Sequence, residues 1–166
     1  MCFRNGMMKR DPFCDVRQKK EKKDRGHLTH QELELFLNYK PENKCLERVK
    51  DRFIFCCFTG FDFSTSSSLM PKNIVQADDG SIWIETHRVK TGVASKVKLL
   101  DIPLSILRKY EKERMGGYLL PIISNAKYND YLKEIAAILG IQKRVTSHPG
   151  PPHICHDGYL CKWRVD

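Results

Sequence analysis

The chain has 166 residues and a mass of 19.3 kDa, long enough for one domain with its own hydrophobic core and too short for several independent modules. Lys and Arg total 29 against 20 Asp and Glu, a net charge of +9, and 41% of the residues are apolar, which excludes a fully disordered chain. No apolar run is long enough to span a bilayer and the opening MCFRNGMMKRDPF lacks a signal-type core, so a cytoplasmic protein with no membrane partner is expected. Seven cysteines in no disulfide-like framework read as reduced thiols. The excess of cations suits a polyanion, because each cation that meets a phosphate releases counterions; nucleic acid is the leading partner class, other acidic partners the alternative.

Residues 1–25 hold nine cations and four acids with few apolar side chains, and Pro12 interrupts any early helix, so 1–26 reads as a solvated basic lead-in. It serves either as a DNA-contacting linker or as a plain solubilising arm. Leu28-Thr29-His30-Gln31-Glu32-Leu33 has the form of a capping box with a hydrophobic staple, predicting a helix to about Tyr39. After Pro41-Glu42-Asn43, Leu46, Val49, Phe53 and Cys56 recur at helical spacing through Phe58, the face of a core helix that Thr59-Gly60 ends. Ser64 to Ser68 reads as a cap and a short helix. Asp78-Asp79-Gly80 is a turn, Ser81 to Arg88 alternates as a strand, Thr91-Gly92 turns, and Ser95 to Ile102 returns, giving a β-hairpin with Lys90 near its tip. Pro103 opens a helix to about Arg114, and Asn125 to Leu139 forms another, stopped by Gly140 before Thr146-Ser147-His148.

Thr59-Gly60-Phe61-Asp62 at a helix end, Lys90-Thr91-Gly92 on a hairpin and Thr146-Ser147-His148, in that order, resemble the catalytic domain of tyrosine recombinases, the integrases of phages and mobile elements. The stretches Lys20 to Thr29 and Pro121 to Asn129 are similar to those of integrases from bacterial conjugative elements, and the likeness runs from about Asp11 to His148. It implies an α+β fold, mainly α-helical, with a small β-hairpin or sheet and an incomplete C-terminus: a partial catalytic domain over 27–148 and a non-homologous tail over 149–166. It further implies a bacterial protein that acts on double-stranded DNA and multimers on DNA, without cofactor or metal. In that family a tyrosine attacks the phosphate, two arginines and a histidine or tryptophan stabilise the phosphorane, and a hairpin lysine protonates the leaving oxygen.

Carried onto this chain, Lys90 matches the hairpin lysine and His148 the first residue of the His-x-x-Arg motif. The plain alternatives are an exposed turn lysine and a helix-capping histidine. Arg88, Lys90, Lys96 and Lys98 are the candidate DNA contacts. Two positions depart: Asp62 stands where the first arginine belongs and would repel a phosphate, and Pro151 stands where the second belongs. The family's nucleophilic tyrosine is not found; Tyr159 lies only 11 residues past His148, and the family tyrosine comes much later.

The tail suggests a reason. The codons for the nine residues Pro151 to Tyr159, read one base later, permit Arg-His-Thr-Phe-Ala-Thr-Thr-Val-Thr, similar to the family's run after its His-x-x, and Lys162-Trp163-Arg164 permits Asn-Gly-Val. A one-base frameshift between His148 and Pro151 is therefore expected. The alternative of a metal site in the tail, from His153, Cys155, His156 and Cys161, matches no common zinc spacing, and Cys56-Cys57 reads as a buried core pair. Three functional readings follow: a recombinase by descent without turnover, a residual DNA-binding module, or an inactive product that folds poorly and exposes apolar surface from Phe53, Phe55 and Leu132.

Overall fold

A computed structural model describes residues 28–114, 116–143 and 145, and the backbone of 153–154 and 160–161. The lead-in before residue 28 and the Thr146-Ser147-His148 motif lie outside the described residues, as does the tail apart from those two backbone pairs.

Helix α1 (His30–Asn38) starts on the expected capping box: Thr29 Oγ1 accepts the Glu32 N–H at 3.2 Å and the Glu32 carboxylate accepts the Thr29 N–H at 2.6 Å. Lys143 also donates to this carboxylate at 2.9 Å, joining the start of α1 to the chain far beyond it in sequence. Partial burial raises the pKa of Glu32, but the Thr29 amide, Lys143 and the Thr29 hydroxyl outweigh it and hold the carboxyl below its usual value. Helix α2 (Lys44–Thr59) is capped by Asn43, whose Oδ1 accepts the Cys45 N–H at 2.8 Å. Gly60 closes it at φ 68°, a left-handed conformation that suits glycine.

The α2 spine serves two cores. One side packs Val49, Phe53 and Cys57 against Leu33 and Phe36 of α1 and against Tyr128, Leu132 and Ile135 of helix α5 (Asn125–Ile138). The other side packs Ile54 and Phe55 against Phe61, Leu69, Ile84 and, from helix α4 (Asp101–Lys109), Ile106 and Leu107. Phe53, Phe55 and Leu132 are fully buried, so the expected exposure of these three residues is not found. Each is enclosed by its own core, and burial of side chains this large contributes about 1.5–3 kcal/mol apiece. Cys56 and Cys57 are buried free thiols, and burial pushes Cys56 up to about 11.

Helix α3 (Phe63–Ser68) corrects the reading of the serine run. Its cap is Asp62, which accepts the Thr65 N–H at 2.8 Å, and the serines are the helix itself. Ser66 and Ser67 donate back to the Phe63 carbonyl and Ser68 to that of Thr65, which satisfies their hydroxyls locally. A short 3-10 turn over Pro71–Asn73 leads into β1 (Ile74–Gln76), a strand the sequence analysis does not anticipate. It pairs antiparallel with β2 (Ile82–His87), and β2 pairs antiparallel with β3 (Ala94–Lys98), so the hairpin is part of a three-stranded sheet in the order β1-β2-β3. The second hairpin strand ends at Lys98 rather than Ile102, because α4 starts at Asp101 with Pro103 inside its first turn. It ends at Lys109 rather than Arg114, where a 3-10 turn over Glu111–Glu113 follows. The short strands β4 (His153–Ile154) and β5 (Leu160–Cys161) pair antiparallel.

Candidate nucleic-acid interface

Alternation along β2 and β3 gives the sheet two faces. Ile74, Ile82, Ile84 and Val97 turn toward the second core, while the register places Trp83 opposite Lys98, Glu85 opposite Lys96 and His87 opposite Ala94 on the outer face. Beyond His87 the hairpin closes at residues 88–93. The Arg88 N–H donates to the Val93 carbonyl at 2.8 Å, the Gly92 N–H donates to the Arg88 carbonyl at 2.7 Å, and Gly92 takes φ 67°. This turn carries Lys90 exposed at the tip, between Val89 and Val93, which are 59% and 60% exposed. Arg88 and Lys98 are half-buried and Lys96 is exposed, so the four candidate DNA contacts share the hairpin.

The hairpin and the Thr59-Gly60-Phe61-Asp62 turn meet. The Val89 N–H donates to Thr65 Oγ1 at 3.4 Å, and the Thr65 N–H is the one Asp62 caps. Asp62 thus has a structural task at the position where the resemblance expects an arginine: its carboxylate orders α3, against which the hairpin turn leans at Val89. His148 lies outside the described residues, and so do Pro151 and Tyr159.

A buried arginine lies behind this turn. Arg52 of α2 is 1% exposed; it donates to Ser67 Oγ and, at 2.5 Å, to the Pro121 carbonyl, and its guanidinium sits 5.2 Å from the Phe63 ring centroid. Among the described residues its Nε has no hydrogen-bond partner, and burial pushes its pKa below the usual guanidinium value. Arg52 ties α2 to α3 and to the segment before α5. The sequence analysis missed it, although its place three residues after Val49 and four before Cys56 puts it on the buried face of α2.

The cations of the outer face are not equally available. Lys96 Nζ lies 2.7 Å from Glu85 Oε1 and 5.4 Å from the Trp83 ring centroid. Around the β1-β2 turn, Ser81 donates to Asp79 from both hydroxyl and amide, and with nearby Lys98 holds that carboxyl below its usual value. A groove of about 760 Å³ runs along the outer side, lined in part by Lys72, Asn73, Glu85, His87 and Lys96. Lys72 and His87 extend the site beyond the residues read from the sequence; the alternation of β2 places His87 there, whereas Lys72 reaches it only through the unanticipated β1.

The described residues form an α+β fold, mainly helical with a small antiparallel sheet, that is shared with solved site-specific recombinases and integrases. Among solved structures, the chain is similar to the XerH site-specific recombinase bound to difH substrate before cleavage, with TM-score 0.54 and 19% identity over 74% of this chain and 39% of that one. The post-cleavage complex of XerH with palindromic difH gives TM-score 0.55 and 19% identity over 74% and 38%. The Tn1549 transposon integrase in complex with circular intermediate DNA gives TM-score 0.60 and 14% identity over 90% and 57%. Identity this low establishes a shared fold, and the chain spans between 38% and 57% of the length of these structures. No protein-family model and no curated protein sequence matches the chain. Among the described residues, no helix is long and apolar enough to cross a membrane.

Proposed function

We propose that this chain is a portion of a site-specific DNA recombinase or integrase that holds double-stranded DNA through its hairpin and does not exchange strands. The observation that carries the reading is the cation-bearing hairpin docked on α3 within a fold shared with DNA-bound recombinases and integrases. Fold alone is an analogy, so the weight rests on the side chains. Lys90 at the tip, with Arg88 and Lys98 behind it and Lys96 paired to Glu85, supports salt-dependent, sequence-poor binding to phosphate.

In an intact relative, Lys90 would deliver its proton to the leaving 5′-oxygen while His148 serves acid-base work at the phosphorane. Turnover fails in this chain for an electrostatic reason. The phosphorane gathers negative charge that two guanidinium groups would neutralise, and the equivalent positions hold Asp62, committed to capping α3, and Pro151. The codon argument assigns 149–166 to the wrong reading frame, and the shifted frame permits an arginine at the position of Pro151. Sequencing the coding DNA tests this: proline codons that exclude arginine in the shifted frame end it.

The functional test is a mobility shift with a duplex of about two helical turns over a salt series. Retention at low salt with log K falling by about 0.9 per phosphate-bound cation is expected, and Lys90→Ala reduces the slope by about that amount. No retention at low salt refutes the reading. A phosphotyrosyl adduct trapped on a nicked suicide substrate refutes the absence of turnover.

A further inference from the structure

Asp79 of the β1-β2 turn lies near Lys98, but the outer-face strand positions themselves carry one acid, Glu85, and the register fixes what it does. Glu85 and Lys96 are directly opposed on β2 and β3, and their side chains close an ion pair of 2.7 Å with both groups about half exposed. Lys72, Lys96 and His87 line the groove beside this pair, and the amide of Asn73 donates to the Glu85 carbonyl at 2.9 Å, holding the β1 edge against β2. A pair so exposed contributes little to the fold, because solvent screens it and two long side chains lose freedom to form it. Its consequence lies in binding. A phosphate that reaches Lys96 must displace the Glu85 carboxylate or sit beside it, and two like charges at contact range repel.

We infer that Glu85 is an electrostatic brake on this face: it occupies Lys96 and keeps the hold on the DNA backbone weak and exchangeable. This rests on the DNA-binding reading above. In the native chain phosphate is engaged through Lys90 in the hairpin turn and Lys98 on the face, and Lys96 joins only when its carboxylate partner is removed. The carboxylate sets the affinity of the surface and the number of counterions released on binding.

The test measures salt-dependent duplex binding of the full chain and of Glu85→Gln, Lys96→Gln, the double variant, and Glu134→Gln, which changes net charge equally at an exposed position of α5 far along the chain. Glu85→Gln should bind about fivefold more tightly at low salt, with the slope of log K against log salt steeper by about 0.9, one additional phosphate contact. Lys96→Gln, which leaves the Glu85 carboxylate uncompensated on the face, should weaken binding, and combined with Glu85→Gln it should return binding to the wild-type level. Glu134→Gln should show no steepening. Equal binding by wild type and Glu85→Gln overturns the brake while leaving the DNA-binding reading intact. A gain that survives in the double variant, or is matched by Glu134→Gln, overturns it as well, since net charge then explains the effect. If neither wild type nor Glu85→Gln is retained at low salt, the DNA-binding reading falls and the brake with it.

Discussion

Asp51 joins α2 to α4 through a buried carboxylate, and Asp51→Ala probes how far that joint holds the second core. The carboxylate is 5% exposed; its Oδ2 accepts from Tyr110 Oη at 2.8 Å and from Lys109 Nζ at 2.6 Å. Tyr110 is 4% exposed, and its phenol, pushed above its usual pKa by burial and by Asp51, stays a proton donor. Removing the acceptor leaves that hydroxyl buried and unpaired, a loss of about 1.5–3 kcal/mol for a bond to a charged group. Lys109 is 41% exposed and keeps Glu47 at 2.5 Å, so its share is about 0.5 kcal/mol or less. The expected loss is about 2–3 kcal/mol, a fall in Tm of roughly 6–10 °C for a chain of this length. Tyr110→Phe should cost about 1–1.5 kcal/mol by itself and little more in the Asp51→Ala background, because an apolar pair leaves nothing unsatisfied. Urea denaturation followed by circular dichroism on the four members of this cycle measures the coupling. If the two substitutions add to within about 0.3 kcal/mol, the bond is not what joins α2 to α4.

Arg52→Ala should cost about 3–4 kcal/mol by opening a cavity between α2 and α3, whereas Arg52→Met, which keeps the volume and removes a buried cation with no carboxylate partner, should stay within about 1 kcal/mol of wild type; denaturation midpoints compare them. Asp62→Ala should cost about 1 kcal/mol through the lost α3 cap and speed hydrogen exchange at the Val89 amide, while Asp62→Ser should restore most of both. The Glu32 carboxyl has a folded-state pKa below its unfolded value near 4.5. Its contribution is therefore present above that value and disappears as pH falls through the folded one. Wild type should lose its margin over Glu32→Gln as pH falls from above the unfolded value through the lowered folded-state one, and a margin constant over acid titration contradicts the capping-box and Lys143 account.

The helices of this chain were legible wherever their ends are local chemistry. The Thr29-Glu32 box, Gly60 and Gly140 and the face from Leu46 to Cys56 each depend on contacts within about one turn, so α1, α2 and α5 fall close to their expected bounds. The hairpin was legible for the same reason: alternation and a glycine turn mark it without reference to the rest of the chain. The boundaries of α4 and the assignment of the serine run failed where two local signals compete. Pro103 fits several positions of a first turn, and serine hydroxyls cap a helix as readily as they bond back within it.

What the amino-acid order determined by itself is thus the helices and the β2-β3 hairpin, the excess of cations and the resemblance carried by Thr59 to Asp62, Lys90 and His148. Tertiary structure alone decided the partners. β1 is three residues with no signal of its own and exists because β2 offers an edge; Asp62 turns from a misplaced charge into a cap because Thr65 faces it; Lys96 turns from a free cation into a paired one because the register sets it against Glu85. The physical reason is one of range: caps and turns are governed by neighbours in sequence, whereas the charge a phosphate would meet depends on which side chains the sheet brings opposite each other.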